Sequence, residues 1–331
     1  MPGEMTAAND RPVVFLASKF RPELVSALGQ RYTLLGPMGK PLPEAVAALP
    51  AADASSVRAV LTLGTIGIDR AAMGRLPSLG LVCCLGSGYE GVDLAAAKDR
   101  GIVVAHSPGA NASSVADVAM GLLITSVRRM FSANAFLLSG DWERRVKRSF
   151  IGPGLTGRRM GIFGLGQIGE RIALRAAAFE MEIGYFNRRQ RTDVPYTYFP
   201  SLLSLAEWAD VLMIAVRADA GNRHAVDAEV LRVLGANGHV INISRGSMID
   251  EDALVDALQR GVIAGAGLDV FESEPVVPEA LRALKQVALV PHIGSETDEA
   301  VAAMSTMVLA NLEAFFAGRA VPTPVPSEAL R

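Results

Sequence analysis

Short apolar runs of β type alternate with helix-type runs over most of this chain. Residues 13–17, 32–35, 57–63, 81–85 and 102–105 read as strands apolar on both faces. Between them, 22–28, 43–49, 69–73 and 93–100 open on Pro or Asp, as helix starts do. Such alternation predicts a parallel sheet with helices on both faces. The rhythm then breaks. Residues 111 to about 140 predict one uninterrupted helix, with Ser113, Ser114 and Asp117 near its start and no Pro inside. A helix of roughly 30 residues is about 45 Å long, more than one α/β layer requires, so it is expected to span two domains. After a Gly/Pro-rich segment, 152–157, strands are predicted at 160–163, 182–186, 211–215, 239–243, 265–268 and 287–290. A final helix-like stretch, 296–316, precedes a Pro-rich tail at 321–326. This closing helix is expected to complete the first unit, which makes the second an insertion.

Composition narrows the class. The chain has 331 residues, half of them hydrophobic, with 32 basic against 34 acidic side chains and a net charge of −2. That length suits about two domains. The near-neutral balance argues against a nucleic-acid binder, which needs a basic surplus. No run approaches the roughly 18 uninterrupted apolar residues of a membrane span, and the polar stretch 1–11 has no apolar signal core. Cys83 and Cys84 are adjacent inside an apolar run, where a bridge would be strained, so they read as buried small hydrophobes. A cytoplasmic protein is expected.

Gly164-Leu165-Gly166-Gln167-Ile168-Gly169 is a G-x-G-x-x-G between an apolar strand and a helix. Glycines there permit a tight turn and bring the backbone close to a pyrophosphate at the helix N-terminus. About 20 residues on, where an NAD site places an acid for the ribose hydroxyls, stand Asn187, Arg188 and Arg189. Guanidinium groups would pair with a 2′-phosphate that a carboxylate would repel. NADPH is therefore the expected cofactor, preferred over NADH.

Ligands of open parallel sheets gather beyond the carboxyl ends of strands. Arg245, Glu274 and His292 each follow a predicted strand of the second unit. Singly, each has a bland reading: a structural ion pair, a solvated turn, a loop histidine. Together they supply the parts for reducing a 2-oxo acid. The Arg fork holds a carboxylate, the His gives a proton to the carbonyl oxygen, and the Glu orients the imidazole and raises its pKa. His106, His224 and His239 lack such company in the sequence and read as structural. No His/Cys/carboxylate spacing suggests a metal site.

Four blocks, taken in order, resemble the D-isomer-specific 2-hydroxyacid dehydrogenase family: 85–93 (LGSGYEGVD), 111–123, the 164–169 loop and the Arg245/Glu274/His292 set. The resemblance runs from about Val13 to Pro324. Within the family it points to the NADP-dependent branch of glyoxylate/hydroxypyruvate and hydroxyphenylpyruvate reductases. It implies an α/β fold of two Rossmann-like parallel-sheet domains: a discontinuous, flavodoxin-like substrate domain, 1–107 and 296–331, and an inserted NAD(P)-binding Rossmann domain, 108–295. Catalysis would fall in the cleft between them, closure excluding water.

By the same resemblance, Arg245 binds the substrate carboxylate with the backbone N–H groups of Ser87 and Gly88. His292 is proton donor in reduction and base in oxidation, Glu274 its partner, and hydride reaches the carbonyl carbon to give the D product. Leu165, Gly166, Gln167 and Ile168 cradle the pyrophosphate; Asn187, Arg188 and Arg189 meet the adenosine phosphate. Ile243, Ser244, Asp269 and Gly294 lie along the nicotinamide half beside His292. Only weak cofactor contacts carry over to Val216 and Arg217, because 215–220 lacks the family's frequent Pro-Leu-Thr. A homodimer through the cofactor domains is implied. Gly140-Asp141-Trp142 matches a Gly-x-Trp segment whose Trp reaches the neighbour's active site in some relatives; a buried, non-catalytic Trp142 is the alternative.

Several competitors remain. Formate dehydrogenases usually carry Gln at the position of Glu274, and long phosphoglycerate dehydrogenases carry an additional C-terminal domain. A short, NAD-dependent phosphoglycerate dehydrogenase is harder to set aside. A nucleotide-sensing corepressor would use the same fold without turnover, but such sensors use NAD(H). A serine hydrolase is disfavoured, since Ser87 lacks the G-x-S-x-G elbow.

Overall fold

In the computed structural model of the chain, residues 11–219 and 221–326 are described. Ala220, the tail 327–331 and all but the last residue of the polar stretch 1–11 lie outside the described residues. The chain forms two compact units, one running to Asn111 and resuming at Asp298, the other spanning Ala112–Thr297.

The first unit is built on β1 (Val13–Leu16), β2 (Thr33–Leu35), β3 (Val57–Leu63), β4 (Leu81–Leu85) and β5 (Val103–Ala105). All are parallel, in the order β2-β1-β3-β4-β5, the flavodoxin-like winding. Strand β4 shows why an all-apolar run becomes an inner strand here. Successive side chains point to opposite faces, so Cys83 joins the cluster of Val14, Leu61 and Leu81, while Cys84 joins that of Val60, Val82 and Met73. Both thiols are free, and burial pushes Cys83 up to about 12 and Cys84 also well above its usual range. The helix Asp298–Phe316 lays Val308 and Leu312 against the Cys83 face, so the C-terminal segment does complete this unit. That helix is long and apolar enough to cross a membrane by length and composition alone. Its fully buried Val308, Asn311 and Leu312 make it a core helix here.

The second unit holds β6 (Arg159–Phe163), β7 (Glu182–Phe186), β8 (Thr197–Tyr198), β9 (Val211–Ile214), β10 (His239–Asn242), β11 (Gly265–Leu268) and β12 (Val287–Leu289). Their order is β12-β11-β10-β9-β6-β7-β8, again all parallel. The winding reverses between β6 and β9, the switch point at which Rossmann sheets take their ligand.

The expectation of one long helix spanning two domains fails, and both of its pieces lie within the second unit. The predicted helix of 111–140 is two helices, Ala112–Arg128 and Met130–Leu138, broken at Arg129. Arg129 adopts φ +53°, the left-handed region, and its N–H turns back to the Ser126 carbonyl at 3.3 Å. Up to that point one face of the helix is buried through Ser126 and Val127. Beyond it Met130, Phe131, Leu137 and Leu138 are exposed, so no continuous buried stripe favours one straight rod. No Gly or Pro marks the break.

Since each cysteine faces a different side of one sheet, neither is reachable without unfolding. Native protein should leave both thiols unreactive to a disulfide reagent at mildly alkaline pH, and guanidinium should release both together. Rapid labelling of the native state would contradict this packing.

Candidate active site

The three glycines of the loop after β6 have three different jobs. Gly164 has φ +100°, and a Cβ there would lie 2.4 Å from the Val216 Cα, so the β6 and β9 ends meet only through a glycine. A Cβ on Gly169 would lie 2.3 Å from the Gly164 carbonyl oxygen, which lets the helix Gln167–Ala178 pack on its own turn. Gly166 differs: it is exposed, and nothing lies within 4 Å of where its Cβ would be. It caps the helix N-terminus, where unsatisfied N–H groups and the helix dipole favour an anion. A close-packed loop with open space at its middle glycine alone fits a dinucleotide pyrophosphate.

Asn187, at the end of β7, turns back to this loop. Its Oδ1 accepts the Leu165 N–H at 2.7 Å and its Nδ2 lies 3.4 Å from the Leu165 carbonyl. Arg191, which the sequence reading missed, adds a bond to the same carbonyl at 3.3 Å and an ion pair to Glu170 at 2.9 Å. Arg188 and Arg189 stand exposed beside them, Arg188 at 87% with Asp219 3.8 Å away. Val216 and Arg217 contribute carbonyls to local ties, Val216 accepting from the Ser244 hydroxyl and Arg217 from Asn222 Nδ2 at 2.9 Å.

Sheet order sets the remaining residues in a row. Arg245 follows β10, Asp269 and Glu274 follow β11, and His292 follows β12, three neighbouring strands. Asn242, buried at the tip of β10, shapes the Arg245 turn: its Nδ2 donates to the Arg245 carbonyl at 2.8 Å and its Oδ1 accepts from Ser244 N at 3.0 Å. A Cβ on Gly246 would lie 1.9 Å from the Phe271 carbonyl carbon, so the Arg245 turn and the Glu274 loop cross in main-chain contact.

Glu274 is gripped at both oxygens. Oε1 accepts the Phe271 N–H at 3.0 Å and Oε2 lies 2.8 Å from His292 Nδ1. That partner makes Nδ1 the protonated nitrogen and leaves Nε2 as the ring's other proton-bearing position. His292 has φ +53°, held by its N–H to the Asp269 carbonyl at 2.8 Å. The buried Asp269 carboxylate accepts from Ile293 N at 2.6 Å and Gly294 N at 2.9 Å, fastening the chain just beyond the imidazole.

The charges agree with this geometry. The Glu274 hydrogen bond raises His292 above the usual histidine value, against burial and the nearby Arg245 charge. Burial pushes Glu274 up, but the His292 bond, the Phe271 N–H and the His292 and Arg245 charges outweigh it and hold the carboxyl below its usual range. Burial raises Asp269 despite its two backbone bonds.

In the first unit the Ser87 loop is also fixed. Ser87 Oγ lies 2.9 Å from Asn111 Oδ1, its carbonyl meets His106 Nδ1 at 2.9 Å, and a Cβ on Gly64 would lie 2.2 Å from the Gly88 oxygen. His239 is buried against the Ser126 hydroxyl at 2.9 Å and pushed down to about 4, chiefly by burial, so it has no part in the site. His224, by contrast, does have a carboxylate partner, Glu272 Oε1 at 2.8 Å. Trp142 is 68% exposed, which rules out the buried alternative within a single chain.

A Rossmann unit carrying a carboxylate–imidazole pair beside an arginine is the class this geometry defines. The family model for the D-isomer specific 2-hydroxyacid dehydrogenase, NAD binding domain, matches residues 120–294. Glyoxylate/hydroxypyruvate reductase A HPR2 of Arabidopsis thaliana is 41% identical over 82% of this chain and 86% of its own. Hydroxyphenylpyruvate reductase of Plectranthus scutellarioides is 39% identical over 83% and 87%. Among solved structures, the NADPH-dependent glyoxylate/hydroxypyruvate reductase of Sinorhizobium meliloti, in complex with NADP and malonate, superposes with a TM-score of 0.88. It is 39% identical, covering 95% of this chain and 97% of that one. The chain belongs to the D-isomer-specific 2-hydroxyacid dehydrogenase family.

The Gly246 crossing yields a direct expectation. Gly246→Ala should force the two loops apart, costing about 2 kcal/mol or more of stability as an overpacked site and most of the activity. Thermal unfolding and steady-state kinetics check it. A variant with unchanged Tm and unchanged rate would show that the crossing has slack.

Proposed function

We propose that this protein reduces a 2-oxo acid to the D-2-hydroxy acid with NADPH. The observation that carries the reading is the His292–Glu274 pair at 2.8 Å, with Arg245 close enough for its charge to act on both. Arg245 holds the substrate carboxylate as a planar fork, and Ser87 and Gly88 of the first unit are assigned to substrate binding through their backbone N–H groups. His292, kept cationic by Glu274, donates its Nε2 proton to the carbonyl oxygen as negative charge develops there. Glu274 stays ionised and holds the imidazole in orientation, so His292 ends neutral and is re-protonated from solvent. The bound nicotinamide supplies the hydride to the carbonyl carbon. In oxidation the neutral imidazole acts as the base.

Leu165, Gly166, Gln167 and Ile168 are assigned to the pyrophosphate, on the open space at Gly166. Ile243, Ser244, Asp269 and Gly294 are assigned to the nicotinamide end. Arg188 and Arg189 are assigned to the 2′-phosphate, since both are exposed and no acid stands at Asn187. The NADP named with the S. meliloti relative supports that choice. Glyoxylate, hydroxypyruvate and arylpyruvates are the substrate candidates, after the activities for which the relatives are named.

A cytoplasmic homodimer through the second unit belongs to the same reading. Met130, Phe131, Leu138, Trp142 and Ile151 expose large apolar surface within one short segment, as an interface between copies would. The reduced, buried cysteines suit a reducing compartment.

The reading is tested by steady-state oxidation of NADPH and NADH with glyoxylate, hydroxypyruvate, pyruvate and 4-hydroxyphenylpyruvate. Turnover should strongly favour NADPH. Replacing Arg188 and Arg189 by Ala should weaken NADPH about 10-fold or more, two charge-assisted contacts being lost, while NADH changes little. Equal loss for both cofactors would sink the phosphate assignment, and no turnover with either would sink the reaction.

A further inference from the structure

Resting on the reading that Arg245, Glu274 and His292 carry the reaction, we propose that His224 and Glu272, with Arg223, form a positioning brace for them. The brace fastens the loop bearing Glu274 to the turn bearing Arg245.

The loop after β11 presents two glutamates two residues apart, and each grips a different histidine. Glu274 Oε2 meets His292 Nδ1 at 2.8 Å, and Glu272 Oε1 meets His224 Nε2 at 2.8 Å. The same Glu272 oxygen also accepts the Arg223 guanidinium. His224 reaches the other side through its main chain. Its N–H donates to the Ser247 carbonyl at 2.8 Å, two residues past Arg245. Val226 N then donates to the Met248 carbonyl at 3.0 Å, and Asp250 N to the Val226 carbonyl at 3.0 Å, a short parallel bridge. One residue therefore touches the carboxylate-binding side by its backbone and the proton-donor side by its ring.

Two further features mark this as a held conformation. His224 sits at φ +52°, in the same left-handed region as His292. Side chains avoid that region unless their surroundings impose it. From the other direction, the Glu272 N–H donates to Glu251 Oε1 at 3.2 Å, which anchors the loop to the helix Glu251–Gln259. None of these bonds involves the 164–169 loop or Asn187, so the brace acts at the reacting end and not on the pyrophosphate and adenosine contacts that hold the cofactor.

The test uses full-length protein: wild type, Glu272→Gln, His224→Ala and His224→Gln. Four quantities are read: NADPH affinity by fluorescence titration, Tm, kcat/KM for the 2-oxo acid, and the His292 titration by NMR. A misplacement of this kind should lower kcat/KM about 10- to 100-fold in Glu272→Gln and His224→Ala, with NADPH affinity unchanged. In both, His292 should titrate at lower pH than in wild type, because Glu274 no longer holds it as closely. His224→Gln, whose amide can still donate to Glu272, should recover most of both effects. A residue that merely stabilises the fold would lower Tm and leave the His292 titration where it was. That outcome, or NADPH affinity falling in step with kcat/KM, overturns the brace. Wild type without turnover on any 2-oxo acid, while the His292 shifts appear as described, would overturn the reaction assigned above and leave the brace standing.

Discussion

The site depends on one main-chain crossing, the contact of Gly246 with Phe271 and Glu272. On the proposed mechanism, the Arg245 clamp and the His292 donor must keep a fixed separation although they come from different loops. Packing backbone on backbone fixes the Arg245 turn against the loop of Glu274, and Glu274 then holds His292 at 2.8 Å. The parallel register of β10, β11 and β12 brings the loops to one end of the sheet, and Gly246 lets them touch. Asn242, Asp269 and the Phe271 N–H then set the reactive groups within that frame.

The dinucleotide loop is built on the same plan. Gly164 and Gly169 close the turn by main-chain contact, which leaves Gly166 as the position with room for a ligand. Asn187 and Arg191 clamp the loop from the next strand through both polar groups of Leu165. Rigidity at the two ends of one sheet edge suits a reaction that needs cofactor and substrate in close register.

Much of this was legible in the sequence because it obeys local rules. Inner parallel strands are mostly apolar on both faces, so β3, β4, β7 and β11 could be bounded to the residue. Glycine spacing revealed the nucleotide loop, and strand ends located Arg245, Glu274 and His292. What stayed hidden depends on tertiary contact. Arg129 breaks a helix without Gly or Pro, where the buried face stops. His224 looks isolated in sequence because its partner Glu272 lies 48 residues away. Asn187 could be read as a missing acid, but its tie to Leu165 shows only in three dimensions.

The central claim is that Glu274 keeps His292 charged so that it can protonate a carbonyl oxygen. A raised pKa means the imidazolium survives above the ordinary histidine value. The reductive kcat/KM should therefore fall only as pH rises through that elevated pKa. In Glu274→Gln, which keeps a hydrogen-bonding group but removes the negative charge, the fall should move to lower pH. The pH profile of kcat/KM for wild type and Glu274→Gln decides the matter: a limb displaced downward in the variant supports the account, and a limb at the same pH in both contradicts it.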